Sequence, residues 1–117
     1  MFKIVDKMSV FDQLAVARKL SQAIPVAHTM INSEDQKSHS IIIIMMMGMI
    51  DDDSYEFVKY KCLSLAKFID NDGKLYPLMN KQGGLMYQDI TLEEITNLIA
   101  DAIKENLGDF LNTALSG

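Results

Sequence analysis

The chain has 117 residues, of which 49% are hydrophobic and 23% charged, a composition typical of one globular domain. Sixteen acidic against eleven basic residues give a formal net charge of -5, and no basic cluster could neutralise a row of phosphates, which argues against nucleic-acid binding. Cys62 is the one cysteine, which excludes an intrachain disulfide and fits a reducing cytoplasm. We expect a single domain over 1–117.

The most apolar segment, 41–50, reads IIIIMMMGMI and is followed by three aspartates. Its length is about half of the roughly 20 residues that a membrane-spanning helix needs. The first residues lack the cationic region and apolar core of a signal peptide. The sequence therefore predicts neither a membrane span nor export, and the segment must be buried by its own domain or by a partner.

The first half of the chain is predicted to be helical. Ser9 can cap a helix over 10–24, after which Pro25 kinks or restarts the chain. The polar stretch 32–40 has no periodicity, which predicts a loop. The run 41–50 is compatible with a buried strand as well as a helix, because four β-branched residues open it, and we favour the helix.

A third helix is predicted to begin near Asp53, which stands at capping-box spacing from Glu56. It is expected to extend to Ile69 and to end at the turn 70–73, where Gly73 can adopt a positive φ. Its apolar stripe consists of Val58, Cys62, Leu65 and Ile69.

The rest of the chain predicts a hairpin and further helical structure. Segments 74–80 and 85–88 flank the turn-forming residues 81–84, and Pro77 confines its strand to a sheet edge. Thr91 and Glu94 form a capping box for the next helix. Gly108 is expected to end that helix and Asp109 to start a last short one. The predicted fold is mainly α, with about five helices and one small β-hairpin.

No catalytic or metal-binding pattern stands out. The segment 70–75 has Asp and Gly at spacings comparable with an EF-hand loop, but that register puts Phe68 and Met79 where carboxylates are required. Cys62 lies on the apolar stripe, where we expect a buried thiol with a raised pKa rather than a nucleophile. We expect no enzymatic activity, no cofactor and no metal.

The positive signal is an excess of large apolar side chains on the helix predicted over 53–69. Besides its stripe, this helix carries Phe57, Tyr60, Leu63 and Phe68 on other sides. Either the run 41–50 covers this second face or a partner does. Methionine favours the partner, because its flexible side chain suits surfaces that accommodate varied helices.

Four segments carry a resemblance to a known family. They are 11–20 (FDQLAVARKL) followed by Pro25, then Cys62-Leu63, 85–90 (LMYQDI) and 105–110 (ENLGDF). In this order they resemble the tail assembly chaperones of long-tailed bacteriophages and prophages. The resemblance implies a non-catalytic protein of the host bacterial cytoplasm. It would bind the helical tape-measure protein, keep it soluble, help to recruit tail-tube subunits and leave the finished tail.

For the client surface we select five side chains by size, flexibility and position away from the stripe: Met45, Met49, Phe57, Tyr60 and Phe68. Two other functions are compatible with the sequence. One is a small oligomeric structural or adaptor protein of a phage particle, whose apolar face is buried by self-association. The other is a regulatory protein-binding module whose acidic surface meets a basic partner.

Overall fold

The computed structural model describes residues 1–31 and 39–116. Helices make up most of this part of the chain, and they pack together with a small antiparallel sheet. The elements are β1 (Phe2–Ile4), α1 (Val10–Leu20), a 3₁₀ turn (Ser21–Ala23), α2 (Ile24–Ile31), α3 (His39–Met47), α4 (Asp52–Leu63), β2 (Ala66–Ile69), β3 (Leu75–Pro77) and α5 (Leu92–Ser116). The 3₁₀ turn joins α1 directly to α2, so the described chain has four separate helical units. The prediction of a mainly α fold is confirmed, although the sheet has three strands rather than two.

The first helical unit follows its predicted signals. The Oγ atom of Ser9 accepts a hydrogen bond from the backbone N–H of Asp12 at 3.1 Å, which caps α1. Pro25 occupies the first turn of α2, where its missing N–H removes no helical hydrogen bond. Pro25 therefore lies where the chain restarts as a new helix.

The apolar run after the polar stretch is helical as far as Met47, where α3 ends, rather than over the whole predicted segment 41–50. In α3, Ile42, Ile43, Met46 and Met47 are buried, and the helix packs against α2 and α5. Internal packing thus covers most of this segment. Of the loop predicted over 32–40, residues 32–38 lie outside the described residues, whereas His39 and Ser40 already belong to α3.

The prediction of a helix reaching Ile69 is wrong, because α4 ends at Leu63 and the following residues form β2. Residues 66–69 pair with β1 on one side and β3 on the other, and these tertiary hydrogen bonds outweigh the helical periodicity of the side chains. The helix also begins earlier than predicted, since Asp51 is its N-cap and accepts from Ser54 N at 2.7 Å. Val58 and Cys62 are fully buried, which confirms the first half of the stripe.

The sheet has the order β1-β2-β3, with antiparallel pairing throughout. Its hairpin turns at 70–74, where Asp70 Oδ1 accepts from the N–H groups of Asp72 and Lys74, both at 2.9 Å, and Gly73 has a φ of 82°. The hairpin predicted around 81–84 is reduced to one isolated bridge between Met79 and Leu85. The main hairpin is therefore formed by β2 and β3, and the first strand of the predicted hairpin contains β3, which is the second strand of the observed one.

The last helix is capped as predicted, with Thr91 N donating to Glu94 Oε1 at 3.0 Å and Glu94 N donating to Thr91 Oγ1 at 3.1 Å. The predicted end at Gly108 is wrong, because α5 continues to Ser116. Gly108 does not adopt a positive φ, and Leu107 and Leu111 are buried on either side of it. Their burial offsets the cost of about 1 kcal/mol for a glycine inside a helix. Among the described helices, none is long and apolar enough to cross a membrane.

Candidate functional site

The first two turns of α1 present large apolar side chains to solvent. Val10 is 75% exposed, Phe11 82% and Leu14 65%. The helical period places Val10 and Leu14 next to the buried Ala17, whereas Phe11 lies further round the helix, opposite Leu20. Exposed apolar side chains that cluster in this way are typical of an interaction surface.

A groove with a volume of about 450 Å³ separates α1 from the C-terminal half of α5. Val10 and Leu14 line it on the α1 side, while Leu107 and Phe110 line it on the α5 side. Leu107 is buried, whereas Phe110 is 40% exposed. Each wall therefore contributes apolar side chains to a groove that also has a polar lining, formed by Gln13, Lys104, Glu105, Asn106 and Asp109.

A hydrogen-bonded bridge holds the two walls together. The Oδ1 atom of Asn106 on α5 accepts from the backbone N–H of Met8, just before α1, at 2.9 Å. The carbonyl oxygen of Met8 accepts from Gln13 Nε2 at 3.1 Å, and Asn106 Nδ2 donates to the carbonyl of Ala102 at 2.8 Å. The groove is thus preformed, because the hydrogen bond between Met8 and Asn106 links the start of α1 to α5 within the folded domain.

The α5 side of the groove carries two carboxylates and one ammonium group, since Glu105, Asp109 and Lys104 all line it. Glu105 and Asp109 are exposed and lie one helical turn apart. The neighbouring Lys104 donates to Ser40 Oγ at 2.8 Å and lies 3.8 Å from Asp101 Oδ1. Within 1–31 and 39–116, none of the four ion pairs includes Glu105 or Asp109. Two carboxylates therefore border the apolar walls without a cationic partner in this part of the chain.

Two of the five predicted client-binding residues lie on α4. The Phe57 ring is partly buried and packs against the core, with the Nζ atoms of Lys19 and Lys61 at 5.8 Å and 5.7 Å from its centroid. Tyr60 is 38% exposed, and its ring lies against Gly83, so that a Cβ atom there would be 3.4 Å from the ring. Gly83 also has a φ of 84°, which a residue with a side chain rarely adopts.

The other three predicted residues lie on different elements. Phe68 on β2 packs against two rings, with centroid distances of 5.3 Å to Phe2 and 5.1 Å to Tyr87. Met45 on α3 is partly buried, and Met49, between α3 and α4, is 42% exposed. None of the five lines the groove beside α1.

Periodicity on its own missed the groove, because residues that face solvent on separate helices share no local pattern. A signal was nevertheless available in the family resemblance. Two of its segments, 11–20 and 105–110, contribute Leu14, Leu107 and Phe110 to opposite walls of the same groove.

Two further features of the sequence concern reactive groups, namely the cysteine and the candidate metal ligands. Cys62 is fully buried as predicted, and burial raises the pKa of its thiol to about 12, so the side chain is neutral at physiological pH. Among the residues whose structure is described, no group of three or more His, Cys, Asp or Glu side chains could hold a metal ion.

The described part of the chain is thus a small, mainly helical domain with exposed apolar side chains on α1 beside a groove of mixed polarity. The family model of the phage tail assembly chaperone proteins (TAC) matches residues 4–117, so the chain belongs to this family. The family is a non-catalytic assembly family, and its match confirms the resemblance found in the sequence. Searches of curated proteins and of solved structures gave no match.

Proposed function

We propose that this chaperone binds the tape-measure protein of its phage by capturing apolar helical segments, and keeps it soluble during tail assembly. It acts without catalysis in the host bacterial cytoplasm and helps to recruit tail-tube subunits. Besides family membership, the observation that supports this function is the exposed apolar face of α1, formed by Val10, Phe11 and Leu14.

The physical basis of the proposal is the match between a groove and an amphipathic helix. A long helical client exposes apolar ridges that aggregate unless they are covered. The side chains of such a ridge are one helical turn apart. Val10 and Leu14 on α1 have the same spacing, so a client helix can pack its ridge against them. The net charge of -5 would keep the resulting complex soluble.

The exposed members of the five residues selected from the sequence provide a second, smaller contact in this proposal. Met49 and Tyr60 are exposed enough to touch a long client that extends beyond the groove. Phe57 and Phe68 are partly buried, so we assign them mainly to packing of the domain.

Co-expression with the tape-measure protein tests this function. The soluble fraction of the client and its co-purification are measured, and light scattering gives the number of chaperone copies per client. We expect the wild-type chain to solubilise the client and Phe11→Gln/Leu14→Gln to lose this effect. Glutamine favours helices and both positions face solvent, so the Tm of the variant should stay within a few degrees.

The matched control is Leu92→Gln/Val26→Gln, which removes two apolar side chains that are 77% and 47% exposed on other helices. It should solubilise the client as the wild type does. If the soluble fraction of the client falls equally with both variants, the α1 face has no special role in binding. A discrete homo-oligomer with no effect on the client would instead support the structural adaptor, and binding of a basic regulatory partner would support the regulatory module.

A further inference from the structure

We propose that the groove between α1 and α5 selects amphipathic helices whose apolar stripe is bordered on one side by Lys or Arg. This inference rests on the proposed function and adds a charge requirement to it. The two acidic side chains on the α5 edge of the groove carry the inference.

The apolar part of the groove fits one helix face. Val10 and Leu14 form one wall, Phe110 stands on the other, and Ala17 and Leu107 also line the groove. Side chains at i, i+3, i+4 and i+7 of a partner helix form a ridge that such a groove can bury.

The edge of the groove adds the charge requirement. Glu105 and Asp109 are like charges at i and i+4, an arrangement that is unfavourable in the free protein. Lys104 also lines this side of the groove, but its ammonium group donates to Ser40 and pairs with Asp101 rather than with Glu105 or Asp109. A cationic side chain beside the partner's apolar stripe would relieve this repulsion on binding.

The same charges argue against a second copy of this chain as the occupant. Each copy carries a net charge of -5 and the same acidic edge, so association through this surface would bring like charges together. A basic amphipathic helix gains both the apolar contact and the electrostatic attraction.

Two synthetic peptides of about 18 residues, five helical turns, test the inference. Both carry the same Leu stripe, flanked on one side by Lys in the first peptide and by Glu in the second. Fluorescence polarisation measures their affinity at low and high salt. We expect the Lys peptide to bind about tenfold more tightly at low salt, with the difference shrinking to about twofold at high salt as the exposed charges are screened.

Charge reversal in the protein provides the decisive comparison. In Glu105→Lys/Asp109→Lys the preference should reverse toward the Glu peptide, and in Glu105→Gln/Asp109→Gln it should nearly disappear. The control Asp72→Lys/Asp89→Lys makes the same change in net charge at two exposed loop positions that do not line the groove, and it should keep most of the Lys preference. Thermal unfolding of each variant establishes that it is folded.

Equal affinity of the wild type for both peptides would overturn the inference, as would a preference that survives charge reversal. A concentration-dependent dimer that is abolished by Leu14→Gln would also overturn it, because the occupant would then be a second copy. If the client is solubilised but no charge preference is found, the proposed function stands and this inference fails. If the preference is found but the client stays insoluble, the inference stands and the proposed function fails.

Discussion

Replacing Asn106 by Ala tests whether the bridge between α5 and the start of α1 sets the groove. The substitution removes the acceptor of the Met8 N–H, and that donor lies on a residue that is only 5% exposed. An unsatisfied buried donor costs about 1–3 kcal/mol, and we expect the lower half of this range because the bond is only part-buried. The carbonyl of Ala102 loses the Nδ2 donor but keeps the helical bond from the backbone N–H of residue 106, so it adds little.

A loss of about 1–2 kcal/mol should lower the Tm by roughly 4–10 °C in a domain of this size. The control is Asn97→Ala, which makes the same change at an exposed position of α5 and therefore gains the same helix propensity. Calorimetry gives the two Tm values, and amide hydrogen exchange should show faster exchange at Met8 only in Asn106→Ala. Equal Tm values and unchanged exchange at Met8 would refute the role given to the bridge.

Three further predictions concern the core, the cap of α4 and the aromatic residues. Val58→Asp should unfold the domain, because an unpaired carboxylate at a fully buried position costs several kcal/mol, and a folded variant by circular dichroism would contradict the core assignment. Asp51→Ala should lower the Tm by a few degrees at pH 7, since the side chain caps α4. The hydrogen bonds from Ser54 lower the pKa of Asp51 in the folded state, so its contribution is complete above the ordinary pKa of about 4 and disappears as the pH falls through the lowered folded value. The difference in Tm between Asp51→Ala and the wild type should therefore shrink in acid, and a constant difference would argue against the cap. Phe57→Ser/Phe68→Ser should cost more than about 2 kcal/mol in denaturant unfolding, because both rings pack within the domain, whereas a variant of normal stability that cannot bind the client would assign the client surface to these rings.

Local signals determined a large part of the fold. The capping box at Thr91 and Glu94, the restart at Pro25 and the buried pair Val58 and Cys62 each depend on neighbours within a turn or two of helix. Such interactions can be inferred from spacing because the helix itself brings the residues together. The family was recognised for a related reason, since its segments are short stretches of consecutive residues.

Contacts between residues distant in sequence determined the elements that local sequence patterns predicted wrongly. The chain after Leu63 continues a helical stripe, yet it becomes the central strand because β1 and β3 lie on either side of it. Gly108 has the local signature of a helix end, but the burial of Leu107 and Leu111 carries the helix through it. In both cases, partners distant in sequence supply more stabilising contact than the local preference can oppose.

For the candidate site, too, part of the information is in the sequence and part is only in the tertiary structure. The sequence by itself indicated an excess of large apolar side chains on the helix predicted over 53–69, left open whether the domain or a partner covers them, and showed the resemblance to the tail assembly chaperones that the family match confirms. Only the tertiary structure decided where the groove lies, because Leu14 and Phe110 are separated by most of the chain and meet only when α1 packs beside α5. Exposure is likewise a property of the whole fold, since a side chain is buried or free according to which other elements come to cover it.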